Sequence, residues 1–574
     1  MANEKETVAE ETPSSGRSAV EVIKENSRSL RGTLSLELAG PDDHFSDDSK
    51  QLLKFHGSYQ QEDRDARKNR RSEGLGKHYM FMVRGRIPGG KLTAGQYLAL
   101  DRLAESHANG TIRLTSRQSI QFHGLLKNNL KGVIAGINEC MLSTLSACGD
   151  VNRNVMACPA PMKNDKVHQS LQDDANAIAM HLAPKSTAYH EIWLNGKPLN
   201  EQVKEEFEPI YGKVYLPRKF KTGLTAPQDN CIDVFSQDLG FVADIKNGEI
   251  VGYDVLVGGG MGMTHGKATT FPHLSKAICY VSREDLLMGA EAVITLYRDH
   301  GNRADRKRAR IKYLVADWGV DKFREVLKGY LRKPLVLPKN IKITGYETHL
   351  GWNAQGDGKF FYGISVESGR IKDEGDFKLR TALRKIVEKF DTEVRLTAIQ
   401  DILICDLPES ARAEIEAILS SHGVAKPQDI SNVQKYSLAC PAIPTCGLAI
   451  SESERALPGV IDEMEKVLKE LGLADEVINV RMTGCPNGCV RPYQSEIGFV
   501  GRSGEKYMVF VGGHVNGTRL NFMLKDLVLK SDIVPLFRPL FVDFKAKKNS
   551  GETFGDYCNR LGKDYLLTLL PSKA

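Results

Sequence analysis

Four cysteines in the last quarter of the chain offer the clearest chemistry: Cys440 and Cys446 in ACPAIPTCGLA, then Cys485 and Cys489 in TGCPNGCVRP. Four thiolates gathered around one centre suit an iron–sulfur cluster or zinc, both of which accept soft sulfur ligands. Structural zinc takes cysteines two to four residues apart in each knuckle. Here the spacing is C-x5-C followed by C-x3-C, so iron–sulfur is favoured. In the second pair Pro486 removes a backbone donor, and Asn487-Gly488 permits a tight turn that aims the remaining N–H groups at sulfur. Such donors tune a cluster's potential. Buried core cysteines are the plain alternative, but these usually stand singly among apolar residues.

The elements that must position these ligands come in duplicate. Arg113-Leu-Thr-Ser-Arg-Gln118 recurs as Arg395-Leu-Thr-Ala-Ile-Gln400, and Ala157-Cys-Pro-Ala160 recurs as Ala439-Cys-Pro-Ala442, both at an offset of 282 residues. LGFVADIKNGEIVGYDVLVGGG at 239–260 is echoed by IGFVGRSGEKYMVFVGGH at 497–514, each reading as strand, glycine turn, strand and glycine cluster. Each copy opens with strand, helix, strand, helix. In the first these are KHYMFMVRGRI, a helix from an N-cap at Thr93 to a stop near Gly110, TIRLTSRQSIQFHG as one extended segment, and LKGVIAGINECMLSTL. In the second they are FFYGISVESGRI, FKLRTALRKIVEKF, EVRLTAIQDILICDL and SARAEIEAILSSHG. The fold class is therefore α+β, a pseudo-twofold duplication of ferredoxin-like half-domains, each continuing into a mixed α/β domain. The expected boundaries are a flexible arm at 1–48, half-domains at 49–150 and 341–428, and larger domains at 151–340 and 429–574. Only the second copy carries all four cysteines. Cys158 aligns with Cys440 and reads as a relic of duplication or a packing residue. A basin between the halves is a natural seat for a ligand.

At 574 residues the chain is too long for one core, and 41% hydrophobic with 26% charged residues is ordinary globular material. The N-terminal MANEKETVAEETPSSG resembles neither a signal nor a transit peptide, and no apolar run reaches membrane-span length, so a cytoplasmic location is expected. Eleven cysteines are too sparse for a disulfide scaffold. Cys140, Cys148, Cys231, Cys279, Cys405 and Cys558 lack paired spacing and read as core or incidental. The net charge of +6 includes basic runs at 64–71 and 303–312, which are ordinarily solvated helix faces or nucleic-acid contacts.

The cysteine contexts, together with HGSYQQEDRD at 56–65, RLTSRQSIQFHG at 113–124, NRNV at 152–155 and LPRKFK at 216–221, resemble the sulfite and nitrite reductases that carry siroheme and a 4Fe-4S cluster. The likeness spans about residues 50–520 and leans toward the NADPH-dependent assimilatory sulfite reductases. It implies that Cys440, Cys446, Cys485 and Cys489 hold the cluster, with Cys489 also ligating the siroheme iron. It implies the six-electron reduction of sulfite to sulfide in sulfur assimilation and cysteine biosynthesis. The electrons would come from a separate flavoprotein subunit that uses NADPH, or else from ferredoxin. By motif, Arg84, Arg153, Lys219 and Lys221 are the catalytic cations for the oxyanion. Arg86 competes with Arg84, since residues two apart on a strand share a face. If 219–221 is extended, both lysines face one side and their repulsion lowers a pKa, fitting one as a proton donor. The siroheme carboxylates are expected to meet Arg113, Arg117, Gln121 and His123, placed on one face by strand alternation, with Arg306 as a further partner; His123 can equally be a satisfied core histidine.

The nearest rival is a ferredoxin-dependent nitrite reductase. Nitrite enzymes of the family tend to have Asn where Lys221 stands, which favours sulfite. A zinc-stabilised nucleic-acid binder would be colourless and bind in a salt-dependent way. A cluster-only electron carrier would leave Arg153 and the lysine pair without a role. VGGGMG at 257–262 lacks the spacing of a nicotinamide fingerprint, so the electron donor is another protein.

Overall fold

The computed structural model describes residues 16–185 and 208–571, and between them only the backbone of a small ribbon, Trp193–Leu194 paired with Lys197–Pro198. The two ferredoxin-like sheets are each finished by the opposite half. Strands Ser58–Glu62, Tyr79–Arg84, Ile120–Leu125 and Ile112–Leu114 are extended by Arg370–Ile371, whereas Gly351–Ala354, Phe360–Ile364, Ile402–Leu407 and Val394–Leu396 are extended by Lys91–Leu92. Arg370 lies opposite Arg113, and Lys91 opposite Arg395. This reciprocal loan caps one edge of each sheet and merges both apolar faces into one core running from Phe81 and Leu100 to Leu383 and Ile415. Helix Ala94–His107 starts where expected, with a capping box between Thr93 and Gln96.

The larger domains repeat at a second offset. Thr222–Thr225 runs parallel to Leu239–Lys246 with Thr222 opposite Leu239, and Val480–Thr483 runs parallel to Ile497–Ser503 with Val480 opposite Ile497, both pairs displaced by 258 residues. Antiparallel strands Glu249–Val257 and Lys276–Ser282 complete the first sheet, Lys506–Val511 and Phe522–Leu529 the second. Ser437–Ala439 pairs in parallel with Val480–Thr483, and its counterpart in the first copy is reduced to the isolated parallel bridge Met156 to Gly223. Each sheet has its own core, backed by Lys166–His181 and Leu286–His300 in one case and Leu457–Glu470 and Ile533–Lys547 in the other.

Two expectations need correction. The segment 111–124 is a hairpin, not one strand: Gln118 turns left-handed at φ 51°, and Arg113 sits across from Gln121. Its Arg117 falls in the turn, off the face of Arg113, Gln121 and His123. Part of the expected arm is docked on the body. Helix Ala19–Asn26 buries Lys24, whose ammonium meets Glu21, Leu216 O at 2.8 Å and Asp150 at 3.6 Å, and a buried, paired charge of this kind fixes the helix to the body. Residues 1–15 lie outside the described residues. No helix among the described residues is long and apolar enough to cross a membrane.

The halves meet at a buried charge. Asp233 and Arg491 are equivalents at the 258 offset; both begin a short 3-10 turn in left-handed conformation, at φ 53° and 64°, and they pair with each other. Arg481 adds a second guanidinium to Asp233 at 2.7 Å. Burial raises the carboxyl's pKa, but Arg481 and Arg491 outweigh it and hold the group below the usual carboxylate range. Removing one partner of a buried ionic cluster costs about 3–5 kcal/mol. Asp233→Asn is therefore expected to lower the urea midpoint by an amount equivalent to that loss, and a change under about 1 kcal/mol would show that the pairing does not hold the halves together.

Candidate active site in the cleft between the halves

Parallel strands Ser437–Ala439 and Val480–Thr483 end at the same edge, and the loops leaving them carry Cys440 and Cys446, and Cys485 and Cys489. Ligand sites collect outside the carboxyl ends of such strands. All four sulfurs line one cavity of about 610 Å³ whose walls come from both halves. Cys440 and Cys485 are buried, while Cys489 is open to the cavity. Gly488 turns at φ 59°, and the Arg491 amide donates to Gly488 O at 3.0 Å. Donors reach sulfur as expected: Gly484 N lies 3.4 Å from Cys440 Sγ, and Asn487 Nδ2 lies 3.5 Å from Cys485 Sγ. Burial, then the charge of Cys489, raises the Cys440 thiol and pushes the Cys485 thiol up to about 12. Four clustered thiolates thus demand a cationic centre. Among the described residues, the ligand atoms crowded within 4.8 Å of one another, as a single ion requires, are not these. Wider spacing suits a polynuclear cluster.

The facing wall is cationic. Of the residues expected in the site, Arg84, Arg113, Gln121, His123, Arg153, Lys219 and Arg306 line this cavity with the four cysteines. Arg84 donates to Cys148 Sγ at 3.0 Å, and the Gln121 amide turns its oxygen to Arg84 Nε at 2.9 Å. Arg153 is fixed by Gly149 O, at 3.1 Å from Nε and 3.0 Å from Nη2. Arg306 grips Asp150 through both terminal nitrogens at 2.9 and 3.1 Å, and Arg113 pairs with Glu454 at 3.0 Å, so these two charges are already compensated. Arg86 faces away, donating to Ala179 O and lining a different depression. Arg117 is spent inside the protein, on Gln237 at 2.7 Å, Thr222 O at 3.2 Å and Asn154 O. It is not part of the cavity wall, which corrects its expected place among the carboxylate partners.

Lys219 and Lys221 flank Phe220, which bridges to Asn152, stacks on Tyr297 and is fully buried. Alternation therefore sends both ammonium groups the other way, and neither has a hydrogen-bonding partner among the described residues. Burial is the first cause of their lowered pKa values, with neighbouring cations second. Lys219 is brought to about 7, with Arg218, Arg310 and Arg153 acting on it and Cys489 opposing. Lys221 is lowered well below the usual ammonium value, by burial first and then by Lys219 and Arg117. Lys219 lines the cavity, and Lys221 is not among its lining residues.

Among the lining residues that the sequence reading does not single out are Lys54, Tyr59 and Arg218. Arg218 sits inside LPRKFK, but a pairwise argument about 219 and 221 passes over it. Lys54 is lowered to about 8 by burial and then Arg306. The residues present fit a large polyanionic group beside thiolates. Lys54, Arg84, Arg153, Arg218 and Lys219 surround the space, and the buried His123 Nδ1 has no partner.

Comparison with known families matches residues 74–140 and 353–422 to the nitrite/sulfite reductase ferredoxin-like half domain, and 173–335 to the nitrite and sulphite reductase 4Fe-4S domain. The latter falls on the copy lacking the four cysteines, a consequence of both copies sharing one architecture. A protein of Synechococcus elongatus named sulfite reductase (ferredoxin) is 45% identical over 96% of this chain and 90% of its own length. A protein of Staphylococcus saprophyticus named sulfite reductase (NADPH) hemoprotein beta-component is 45% identical over 95% of each chain. The solved Mycobacterium tuberculosis NirA protein shares the fold, with a TM-score of 0.76 at 24% identity, covering 95% of this chain and 96% of that one.

A Cβ at Gly488 would meet Tyr493 Cε2 at 2.9 Å in a left-handed conformation that side chains resist. Gly488→Ala is expected to shift the Cys485–Cys489 turn and lower bound iron and acid-labile sulfide at least twofold; full metal content in the variant would refute the turn's role.

Proposed function

The chain belongs to the nitrite and sulfite reductase family, and from that footing we propose that it reduces sulfite to sulfide, with six electrons, in the assimilation of sulfur. The family's cofactors are siroheme and a 4Fe-4S cluster. We assign Cys440, Cys446, Cys485 and Cys489 to the cluster, with Cys489 also the thiolate ligand of the siroheme iron. His123 and Gln121 are assigned to the siroheme carboxylates, while Arg113 and Arg306, expected there too, are already paired with Glu454 and Asp150 and brace that wall. When bound, the pair supplies electrons to the substrate's sulfur.

The observation that carries this reading is the lysine pair: two half-buried ammonium groups near Cys489, with no carboxylate or carbonyl partner among the described residues. An unpaired, partly desolvated cation is costly, and a small oxyanion offsets that cost. Arg153, fixed by Gly149 O, and Arg84, braced by Gln121, present oriented guanidinium donors to such an anion. Lys219, near 7, holds its proton loosely enough to pass it to a departing oxygen at neutral pH and then recover another from solvent.

The donor we propose is a separate flavoprotein subunit that uses NADPH. A ferredoxin is the second reading, favoured by the name of the Synechococcus relative. The purified protein is expected to show tetrapyrrole absorption bands with iron and acid-labile sulfide. Sulfite-dependent turnover is expected to be at least tenfold faster with an NADPH-linked flavoprotein than with reduced ferredoxin. Zinc without a tetrapyrrole sinks the function; the reverse donor ranking reassigns only the donor. Lys221→Asn is expected to lower kcat/KM for sulfite by about 10²-fold while nitrite reduction falls much less, both measured with a chemical reductant. Equal losses for the two anions would remove the specificity role.

A further inference from the structure

We propose that Cys158, Asp229, Cys231 and His349 form a second metal site, for one tetrahedral divalent ion of the zinc class. Their ligand atoms all lie within 4.8 Å of one another. Cys158 Sγ is 2.9 Å from Asp229 Oδ2 and 3.4 Å from His349 Nε2, and that nitrogen is 3.1 Å from Asp229 Oδ2. A zinc tetrahedron with bonds of about 2.0 Å to nitrogen or oxygen and 2.3 Å to sulfur has edges of roughly 3.3–3.8 Å. The atoms of Cys158, Asp229 and His349 therefore need shifts of only a few tenths of an ångström to receive an ion, and Cys231 Sγ lies within 4.8 Å of each of them. Two thiolates, one imidazole and one carboxylate close the coordination sphere without an open position, the pattern of a structural site.

The surroundings are those of a built site. Asp229 Oδ1 accepts the amides of Cys231 at 3.0 Å and Glu347 at 3.1 Å, which leaves Oδ2 facing the cluster. His349 is held in left-handed conformation at φ 61°. His168 stabilises the Cys158 thiolate and is itself paired with Asp165, an outer carboxylate–histidine support of the kind metal ligands use. Met156, Ala160, Ile232 and Val234 wrap the site in apolar groups.

Position in the fold gives the site an origin. Cys158 is the equivalent of Cys440 at the 282 offset, and Cys231 is the equivalent of Cys489 at the 258 offset set by the paired strands. Pro227 stands where Cys485 would be, and Asp229 where Asn487 would be. The first copy thus keeps two of the thiols of the duplicated site and adds a carboxylate and an imidazole close enough for a single ion. Cys158 and Cys231, read from sequence as relic, packing or incidental residues, become ligands, and each thiol gives its proton to solvent on binding.

Elemental analysis of the holoenzyme, produced with zinc in the medium and passed over a chelating resin, is expected to give one zinc per chain in addition to the iron. X-ray absorption at the zinc edge should show two sulfurs near 2.3 Å and two lighter ligands near 2.0 Å. Cys231→Ser and His349→Ala should each lose the zinc while the visible spectrum and iron content stay. Should either variant fail to fold, the wild-type zinc count and edge spectrum decide. Zinc below about 0.2 per chain, a zinc content unchanged by both variants, an edge spectrum without two sulfurs, or a mass deficit showing Cys158 disulfide-bonded to Cys231 would each overturn the proposal.

Discussion

The ion pair of Asp233 with Arg491, buried where the copies meet, is the constraint from which the site geometry follows. Arg491 does not stop at Asp233. Its other nitrogens donate to Ser116 O at 3.0 Å and Ala398 O at 3.1 Å, which are equivalent positions in the two hairpin turns of the ferredoxin-like halves. One side chain therefore ties both larger domains to both half-domain turns. Because Arg491 follows Cys489 by two residues, the same anchoring sets the height at which that thiolate enters the cleft. Ser116 Oγ donates to Cys489 O at 3.2 Å and closes the connection.

Around that anchor the cleft sorts its cations into two groups. Arg306, Arg113 and Arg310 each have a carboxylate, in Asp150, Glu454 and Asp238, so they are oriented and neutralised before any ligand arrives. Lys219, Lys221 and Lys54 have none among the described residues, and burial lowers the pKa of each. Charge that is paired gives shape, while charge left unpaired in a poorly solvated place gives affinity for anions and readiness to give up protons. The lysines are suited to this division because an ammonium changes protonation near neutrality when desolvated, which a guanidinium does not.

Much of this was legible in the chain. The duplication was readable because the repeated hexapeptides and the ACPA pair keep one spacing, and repeated spacing reflects repeated strands. The cysteine set was readable because C-x5-C and C-x3-C are local. What escaped was non-local. Lys91–Leu92 and Arg370–Ile371 are two-residue strands whose partners lie in the other half, too short for any periodicity to register. Arg117 looked like a ligand partner because alternation was carried through a turn that Gln118, at φ 51°, interrupts. The docking of Ala19–Asn26 depends on Lys24 reaching Asp150, more than a hundred residues away, and no local pattern announces that contact.

A duplicated chain can do what a symmetric dimer cannot at its own axis. Two identical copies related by a twofold place each axial residue against itself, so an aspartate would meet an aspartate and an arginine an arginine, both repulsive when buried. Once the copies share one chain, the axial position can become Asp233 in one and Arg491 in the other, turning the repulsion into the strongest pairing available there. The thiols diverge by the same logic. A ligand held in the cleft would need a thiolate from only one of the two copies. Cys489 opens to the cavity, whereas its equivalent Cys231 is buried against Cys158. The scaffold remains nearly twofold while its chemistry is one-sided, because the positions nearest the axis are those where identity is most costly.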